Sequence, residues 1–153
     1  MPEFSVPTQL PDWIKDHAAL YIKSEGKEGH MWDSSIAGGP GPIATLLLAT
    51  SGRSSGDSHT VPLIYGEAGG NYVIVASRGG SKDHPDWYKN LAAAPDVSVR
   101  VATNVFDAVA RTAEGEERDA LWAKMADIFP PYNQYQGSTD RQIPVVVLEP
   151  VSA

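Results

Sequence analysis

A chain of 153 residues with 42% hydrophobic and 8% aromatic content has the length of one compact domain, since domains commonly hold about 100 to 150 residues. Its formal net charge of −7 argues against general attraction to nucleic acid, which rests on lysine and arginine neutralising phosphates. The absence of cysteine excludes a disulfide scaffold, a thiolate nucleophile and cysteine-ligated zinc, and no apolar run approaches the roughly 20 residues that cross a bilayer.

The start, MPEFSVPTQLPDW, lacks a basic n-region and an apolar h-region, so the expectation is a cytoplasmic protein. Residues 11–24, PDWIKDHAALYIKS, open with a proline and an acid and carry Ile14, Ala18, Tyr21 and Ile22 at helical spacing. They predict an N-terminal helix that covers a sheet edge; its modest apolar face is also the one place where peripheral membrane contact is considered. Residues 25–42 are rich in glycine, serine and proline without a period, which predicts a flexible loop. Residues 1–42 are thus expected as helix and loop ahead of a domain at 43–150.

Strand patterns follow: IATLLLAT at 43–50, HTVPLIYG at 59–66 and NYVIVAS at 71–77. The EAGG joining the last two predicts a hairpin. The unalternating LLL at 46–48 predicts a strand buried on both faces, and Pro62 is compatible only with an edge or a bulge. PDWYKNLAA at 85–93 predicts a short helix with Pro85 in its first turn, and Asp83 reads as its N-terminal cap or a first-turn charge. VSVRVA and VFDAVART flank Thr103 and Asn104 and predict a second hairpin. Residues 114–129 place Leu121, Met125 and Ile128 on one face and acids in the first turn, an amphipathic helix packed on the sheet. A polar, tyrosine-bearing link, PPYNQYQGSTDRQ, leads to a last buried strand, IPVVVLE. About six strands and two substantial helices, joined by hairpins, predict a mainly antiparallel sheet or small barrel.

Several local patterns carry competing chemical readings. Asp83, His84 and Asp86 are metal-ligand types, but sequence neighbours rarely converge on one ion alone, and His17, His30 and His59 add no HxxxH or HExxH spacing; no metal is expected. GRSSG at 52–56 matches G-x-S-x-G yet runs into a strand, where a nucleophile elbow needs a helix. Walker and G-x-G-x-x-G patterns are absent. Two glycine-containing loops, at 51–56 with Arg53 and at 77–80 with Arg78, each leave a strand. If those strands are neighbours, the loops form one basic rim, suited to an elongated ligand with an aromatic head and an anionic tail; otherwise each is an ordinary loop. Trp87, four residues before Leu91, reads as core packing or as the wall of a flat-ring site. Phe129, Tyr132 and Tyr135 read as helix-end packing or as an aromatic lid whose phenols hydrogen-bond a substrate oxygen.

Taken in order, LLLATSGRSSG, TVPLIYG, YVIVASRGGSKDHPDWYKNL, YNQYQGSTDR and IPVVVLEP resemble the deazaflavin-dependent nitroreductase family over about Ile43 to Pro150. The resemblance implies a split β-barrel (FMN-binding-like) and the deazaflavin coenzyme F420. It implies that Arg53, Ser54 and Ser55 meet the phosphate and tail, with Ser54 where the family often has lysine. It implies that His59, Thr60, Val61, Pro62, Leu63 and Ile64 lie along the coenzyme, and that Val75, Ala76, Ser77 and Arg78 stand nearest its ring, Arg78 replacing a common lysine. Asp86, Trp87, Tyr88, Lys89 and Asn90 match a further coenzyme-contacting helix turn. Tyr132 and Tyr135 match substrate-side tyrosines, Tyr132 also adjoining the coenzyme, and Ser77 matches a serine near the reacting substrate. Phe129 stands where nitroimidazole-reducing members have tyrosine, a departure that speaks against nitroimidazole activation. The implied activity is hydride transfer from the reduced coenzyme to a small electron-poor acceptor, a quinone or an α,β-unsaturated carbonyl. The alternatives are a non-catalytic deazaflavin or flavin carrier and a flavin mononucleotide oxidase on a related barrel. The physiological acceptor and the oligomeric state are not read from the sequence.

Overall fold

The apolar runs that alternate, or that repeat leucine and valine, all enter one antiparallel sheet. The computed structural model describes residue 4 and residues 11–53, 56–77 and 82–151, with the side chains of Ile36 and Ala37 left aside. The elements are α1 (Asp12–Lys23), β1 (Met31–Asp33), a 3₁₀ turn (Ser34–Ala37), β2 (Pro42–Ser51), β3 (Ser58–Ile64), β4 (Gly66–Ala68), β5 (Asn71–Val75), α2 (Asp86–Ala93), β6 (Asp96–Val101), β7 (Asn104–Thr112), α3 (Gly115–Ile128), α4 (Pro131–Gly137) and β8 (Val145–Pro150). The described residues thus hold eight strands, where about six were expected. The two additional ones, β1 and β4, are three residues long, too short to leave a period in the sequence, and exist because β2 and β5 offer them an edge.

The sheet runs β1-β2-β6-β7-β8-β5-β4, with β3 also on β2. Because β3 and β6 both pair with Leu47–Ala49, they flank β2 on opposite sides. At its far side β3 comes close to β5 with no ladder between them, so the sheet curls toward a barrel and stops at a seam. Pro62 therefore sits on a strand with one paired side, as its missing N–H requires. The hairpin expected at EAGG forms with a different partner: β4, not β3, turns back onto β5. Gly69 and Gly70 both have positive φ, 58° and 85°, which a two-residue hairpin turn of this hand needs.

Alternation then sorts the side chains. Leu46, Leu48, Ile74, Val97, Val99, Ala108, Ala110, Val146 and Leu148 point to one face and fill the barrel interior. Val73, Val75, Val145 and Val147 point the other way and are covered by Leu121 and Met125 of α3 with Tyr132 of α4. Leu47 also points outward and is covered by Ala18 and Tyr21 of α1, which is why LLL shows no polar alternation. Gly66 lets α3 come down on the sheet, since a Cβ there would stand 2.8 Å from Met125 Sδ.

Three other expectations change. The stretch 25–42, expected as loop, holds β1 and the 3₁₀ turn. The link expected at 130–142 contains α4, whose inward residues, Tyr132 and Tyr135, share one face of a helix too short to show a period. The cap position of α2 is Pro85, with no side-chain cap hydrogen bond, so Asp83 is not its cap.

Tyr21 ties α1 to the sheet. Its buried hydroxyl donates to Thr45 O at 2.9 Å and accepts from the Ala102 N–H at 2.8 Å, and burial raises its phenol above the ordinary pKa. Tyr21→Phe keeps the ring and orphans both backbone groups, at a cost of about 1 to 3 kcal/mol. Urea unfolding of the variant is expected to show a lower midpoint at an unchanged m-value, and an unchanged midpoint would remove the hydroxyl from the stability of the fold.

Candidate functional site

The site is organised by α2. Its second turn presents Asn90, only 4% exposed, and a buried amide needs partners. Asn90 finds them in the loop after β2: its Oδ1 accepts from the Arg53 main-chain N–H at 3.2 Å and from Arg53 Nη1 at 2.8 Å, and its Nδ2 donates to Thr50 Oγ1 at 3.4 Å. The Arg53 side chain also lies 3.5 Å from Asp86 Oδ1, an oxygen on a side chain 84% exposed. An ion pair that long and that wet contributes roughly 0 to 1 kcal/mol. Arg53 is thus held by Asn90 and only lightly engaged by Asp86.

Just ahead of α2 stands His84, and Arg141 links it to Ala76 and Ser77, which leave β5. The Ala76 N–H donates to Pro144 O at 2.9 Å. Arg141 Nη1 donates to Ala76 O at 3.2 Å, Arg141 Nη2 to Ser77 O at 2.7 Å, and Arg141 Nη1 to His84 Nδ1 at 3.0 Å. Arginine carries no acceptor, so Nδ1 of His84 must be the unprotonated nitrogen. His84 is biased that way: burial, then the positive charges of Arg141 and Lys89, lower its pKa, with Asp83 opposing.

α2 packs Trp87 and Tyr88 onto the interior cluster, on which Val61 and Leu63 of β3 also pack, and Tyr88 Oη shares a hydrogen bond with Thr112 Oγ1 at 2.9 Å. On the other face of the sheet, Phe129, Tyr132 and Tyr135 form a ring cluster with centroids 5.0 to 6.3 Å apart, joined by Val75 and Ile64. Burial, then Tyr135, pushes the Tyr132 phenol above its ordinary pKa, and burial raises Tyr135 as well. Both remain protonated donors at neutral pH. Gln136 fastens their helix to the segment just ahead of β8: its Nε2 donates to Arg141 O at 2.8 Å and its Oε1 accepts from the Ile143 N–H at 2.9 Å.

The structure therefore gathers Arg53, Asp86 to Asn90, Ala76 and Ser77 around one helix, and joins Val75, Ile64, Tyr132 and Tyr135 in one cluster. His59 is exposed, Thr60 buried, and Val61 to Ile64 are half-buried along the seam; Lys89 is exposed. Ser54, Ser55 and Arg78 lie outside the described residues. The two glycine loops do not come from neighbouring strands, because β2 and β5 stand far apart in the sheet order; it is α2 that brings Arg53 and Ser77 together. Among the described residues no group of three or more His, Asp or Glu side chains is placed to hold a metal ion. Arg141 is the residue that pattern reading missed. Its only signal is an arginine placed just ahead of a buried strand.

Residues 13–150 match the family model described as F420H(2)-dependent quinone reductase. The chain is 36% identical over 138 residues to the F420H(2)-dependent quinone reductase of Mycobacterium tuberculosis, covering 88% of each. Among solved structures it is similar to an F420-H2 dependent reductase, FDR-A, at 45% identity and a TM-score of 0.65, covering 69% of this chain and 93% of that one. It is also similar to a chain described as a domain-swapped dimer, at 38% identity and a TM-score of 0.67, covering 90% of this chain and 98% of the other. The fold is the split β-barrel, with the strand count corrected to eight.

The depressed His84 pKa has a direction in stability. Because the folded state holds His84 neutral more firmly than the unfolded chain does, its contribution is complete above the ordinary histidine value of 6.5 and is lost as pH falls through the lower folded value. Thermal melts of the parent and His84→Asn, which keeps an acceptor but does not titrate, are expected to differ most in the parent's favour at pH 7.5 and to converge toward pH 5, pH values chosen to bracket the histidine range. A constant difference would exclude this linkage.

Proposed function

This chain belongs to the F420H(2)-dependent quinone reductase family, oxidoreductases whose coenzyme is F420, and from that premise we propose that it transfers hydride from the reduced coenzyme to a quinone lying beside Tyr132 and Tyr135. The observation that carries the reading is the arrangement around the start of α2, which engages Arg53 through Asp86 and Asn90 and, through His84 just ahead of the helix and Arg141, the Ala76–Ser77 backbone.

The residues suit such a coenzyme by the chemistry of their donors. Arg53 is a half-exposed guanidinium whose one carboxylate contact is long and solvated, so a phosphate or a glutamyl tail can replace Asp86 at little cost. Val61, Leu63 and Trp87 are half-buried apolar groups around the same core, a surface suited to a flat ring. In this reading Arg53, Ser54 and Ser55 hold the anionic part, His59 to Ile64 and Asp86 to Asn90 flank the coenzyme, and Val75, Ala76, Ser77 and Arg78 stand at its ring.

The bound reduced deazaflavin supplies the hydride. The protein supplies position and polarisation. Negative charge builds on the acceptor's carbonyl oxygen as hydride arrives, and a donor already fixed in a water-poor setting stabilises it. Tyr132 and Tyr135 meet that need, with Ser77 as a further donor. Their raised pKa values make them poor proton sources, so solvent completes protonation of the product. Phe129 offers no hydroxyl, and nitroimidazole reduction is left out of the proposal; other conjugated carbonyls fall within the same acceptor chemistry. No helix among the described residues is long and apolar enough to cross a membrane. The reading places the protein in the cytoplasm, with the exposed Trp13 and Leu20 of α1 as the surface for any peripheral membrane contact.

Titration of tryptophan fluorescence with F420, run beside flavin mononucleotide, is expected to give saturable quenching by F420 alone, followed by quinone-dependent oxidation of the reduced coenzyme. Preference for the flavin would overturn the reading, and tight F420 binding without turnover would make the protein a carrier. Tyr132→Phe is expected to lower kcat about a hundredfold, in the range of a lost oxyanion or general-acid contact, with the F420 Kd unchanged. Equal rates would remove Tyr132 from the chemistry.

A further inference from the structure

Arg141 joins two groups of residues that the sheet itself keeps on separate elements. Its guanidinium reaches Ala76 O, Ser77 O and His84 Nδ1, while its own carbonyl is held by Gln136 of α4. Side chain and main chain thus serve opposite sides of the site. We propose that Arg141 is a positioning residue for the coenzyme, its planar fork setting the Ala76–Ser77 backbone against the start of α2; the inference rests on the F420 reading above.

The geometry needs an arginine. Two backbone carbonyls and a ring nitrogen are met by Nη1 and Nη2 of one planar guanidinium, whereas a lysine ammonium is a point charge that cannot span the set. Hydrogen bonds from a charged donor are about twice as strong as neutral ones, so residues that have just left β5 are held nearly as firmly as a strand. Ala76 is restrained at both groups, its N–H by Pro144 O and its carbonyl by Arg141. His84 gives the clamp a fixed far end: its ring packs 5.0 Å from that of Tyr88, and Tyr88 is tied to Thr112 of β7.

The tyrosine helix on the acceptor side is secured without the guanidinium. Gln136 binds the main chain at Arg141 and Ile143, and Arg118 Nη2 donates to Ile143 O at 2.7 Å. Those bonds survive any change of the Arg141 side chain, so its loss should loosen the coenzyme side and leave the tyrosine helix seated.

The test compares the parent with Arg141→Met, which keeps much of the length, and Arg141→Lys, which keeps the charge; thermal melts confirm that each is folded. Hydrogen exchange in the ligand-free proteins is expected to speed up roughly tenfold in Arg141→Met for peptides ending at Ser77 and for those opening at Asp83, with peptides from α4 unchanged. F420 titration by fluorescence is expected to show Kd about tenfold higher in Arg141→Met and intermediate in Arg141→Lys, with the KM for the quinone within about twofold of the parent. Unchanged exchange, an F420 Kd equal to the parent's, or equal losses in Kd and KM would each overturn the positioning role. If the parent itself fails to bind F420, the functional reading falls and takes this role with it. If the parent binds and Arg141→Met matches it, the positioning role alone falls.

Discussion

An antiparallel sheet that curls onto itself must either close its last ladder or keep an edge, and here β3 and β5 approach each other with no ladder between them. Closing that seam would remove the edge that invites pairing with other chains. Leaving it open puts a strand with one unpaired side, the stretch His59 to Ile64, next to the point where β5 ends at Val75. Pro62 in the middle of that strand has no N–H to give to a second ladder, and thereby blunts the edge against a neighbouring chain.

The barrel interior also needs cover on the side of β2 and β7, or it would be wet there. α2 supplies it. Its apolar side, Trp87, Tyr88 and Leu91, continues the interior core, and its buried polar group, Asn90, has Oδ1 engaged by Arg53 and Nδ2 by Thr50. A buried amide with its partners present stabilises one arrangement; the same amide with a partner missing would cost about 1 to 3 kcal/mol. Asn90 therefore sets the Arg53 loop, and an acidic protein of net charge −7 comes to present a guanidinium at one defined place. The two arginines of the site are held differently. Arg53 is anchored at its base with its charge near solvent, whereas Arg141 spends its donors on backbone carbonyls and His84.

What was legible in the sequence follows from which interactions are periodic. Leu46 to Leu48, Val97 to Val101 and Val145 to Leu148 announced buried strands because burial acts on every second residue of a strand, or on every residue where both faces are covered. β1 and β4 were illegible because three-residue strands are created by their partners. The EAGG turn was visible from its glycines, but whether β3 or β4 pairs across it depends on β2 competing for β3, a non-local matter. Around the site, resemblance named α2, the segment ending β5 and the tyrosines. It could not name Arg141, which reaches acceptors 57 to 65 residues away in sequence; no local pattern encodes such a contact.

The titration properties of the site also divide its labour. Tyr132 and Tyr135 sit among apolar rings that raise their pKa values, so over the physiological range they neither lose a proton nor become better acids. In the proposed reaction, which builds negative charge on oxygen, their contribution is a fixed dipole that does not vary with pH over that range. His84 is shifted in the opposite sense, toward its neutral form, and it contacts the coenzyme-side backbone through Arg141. Acidification thus acts on His84 and leaves the already protonated tyrosines unchanged. On the proposed reading, the pH dependence falls on coenzyme affinity through His84, and the chemical step stays nearly flat.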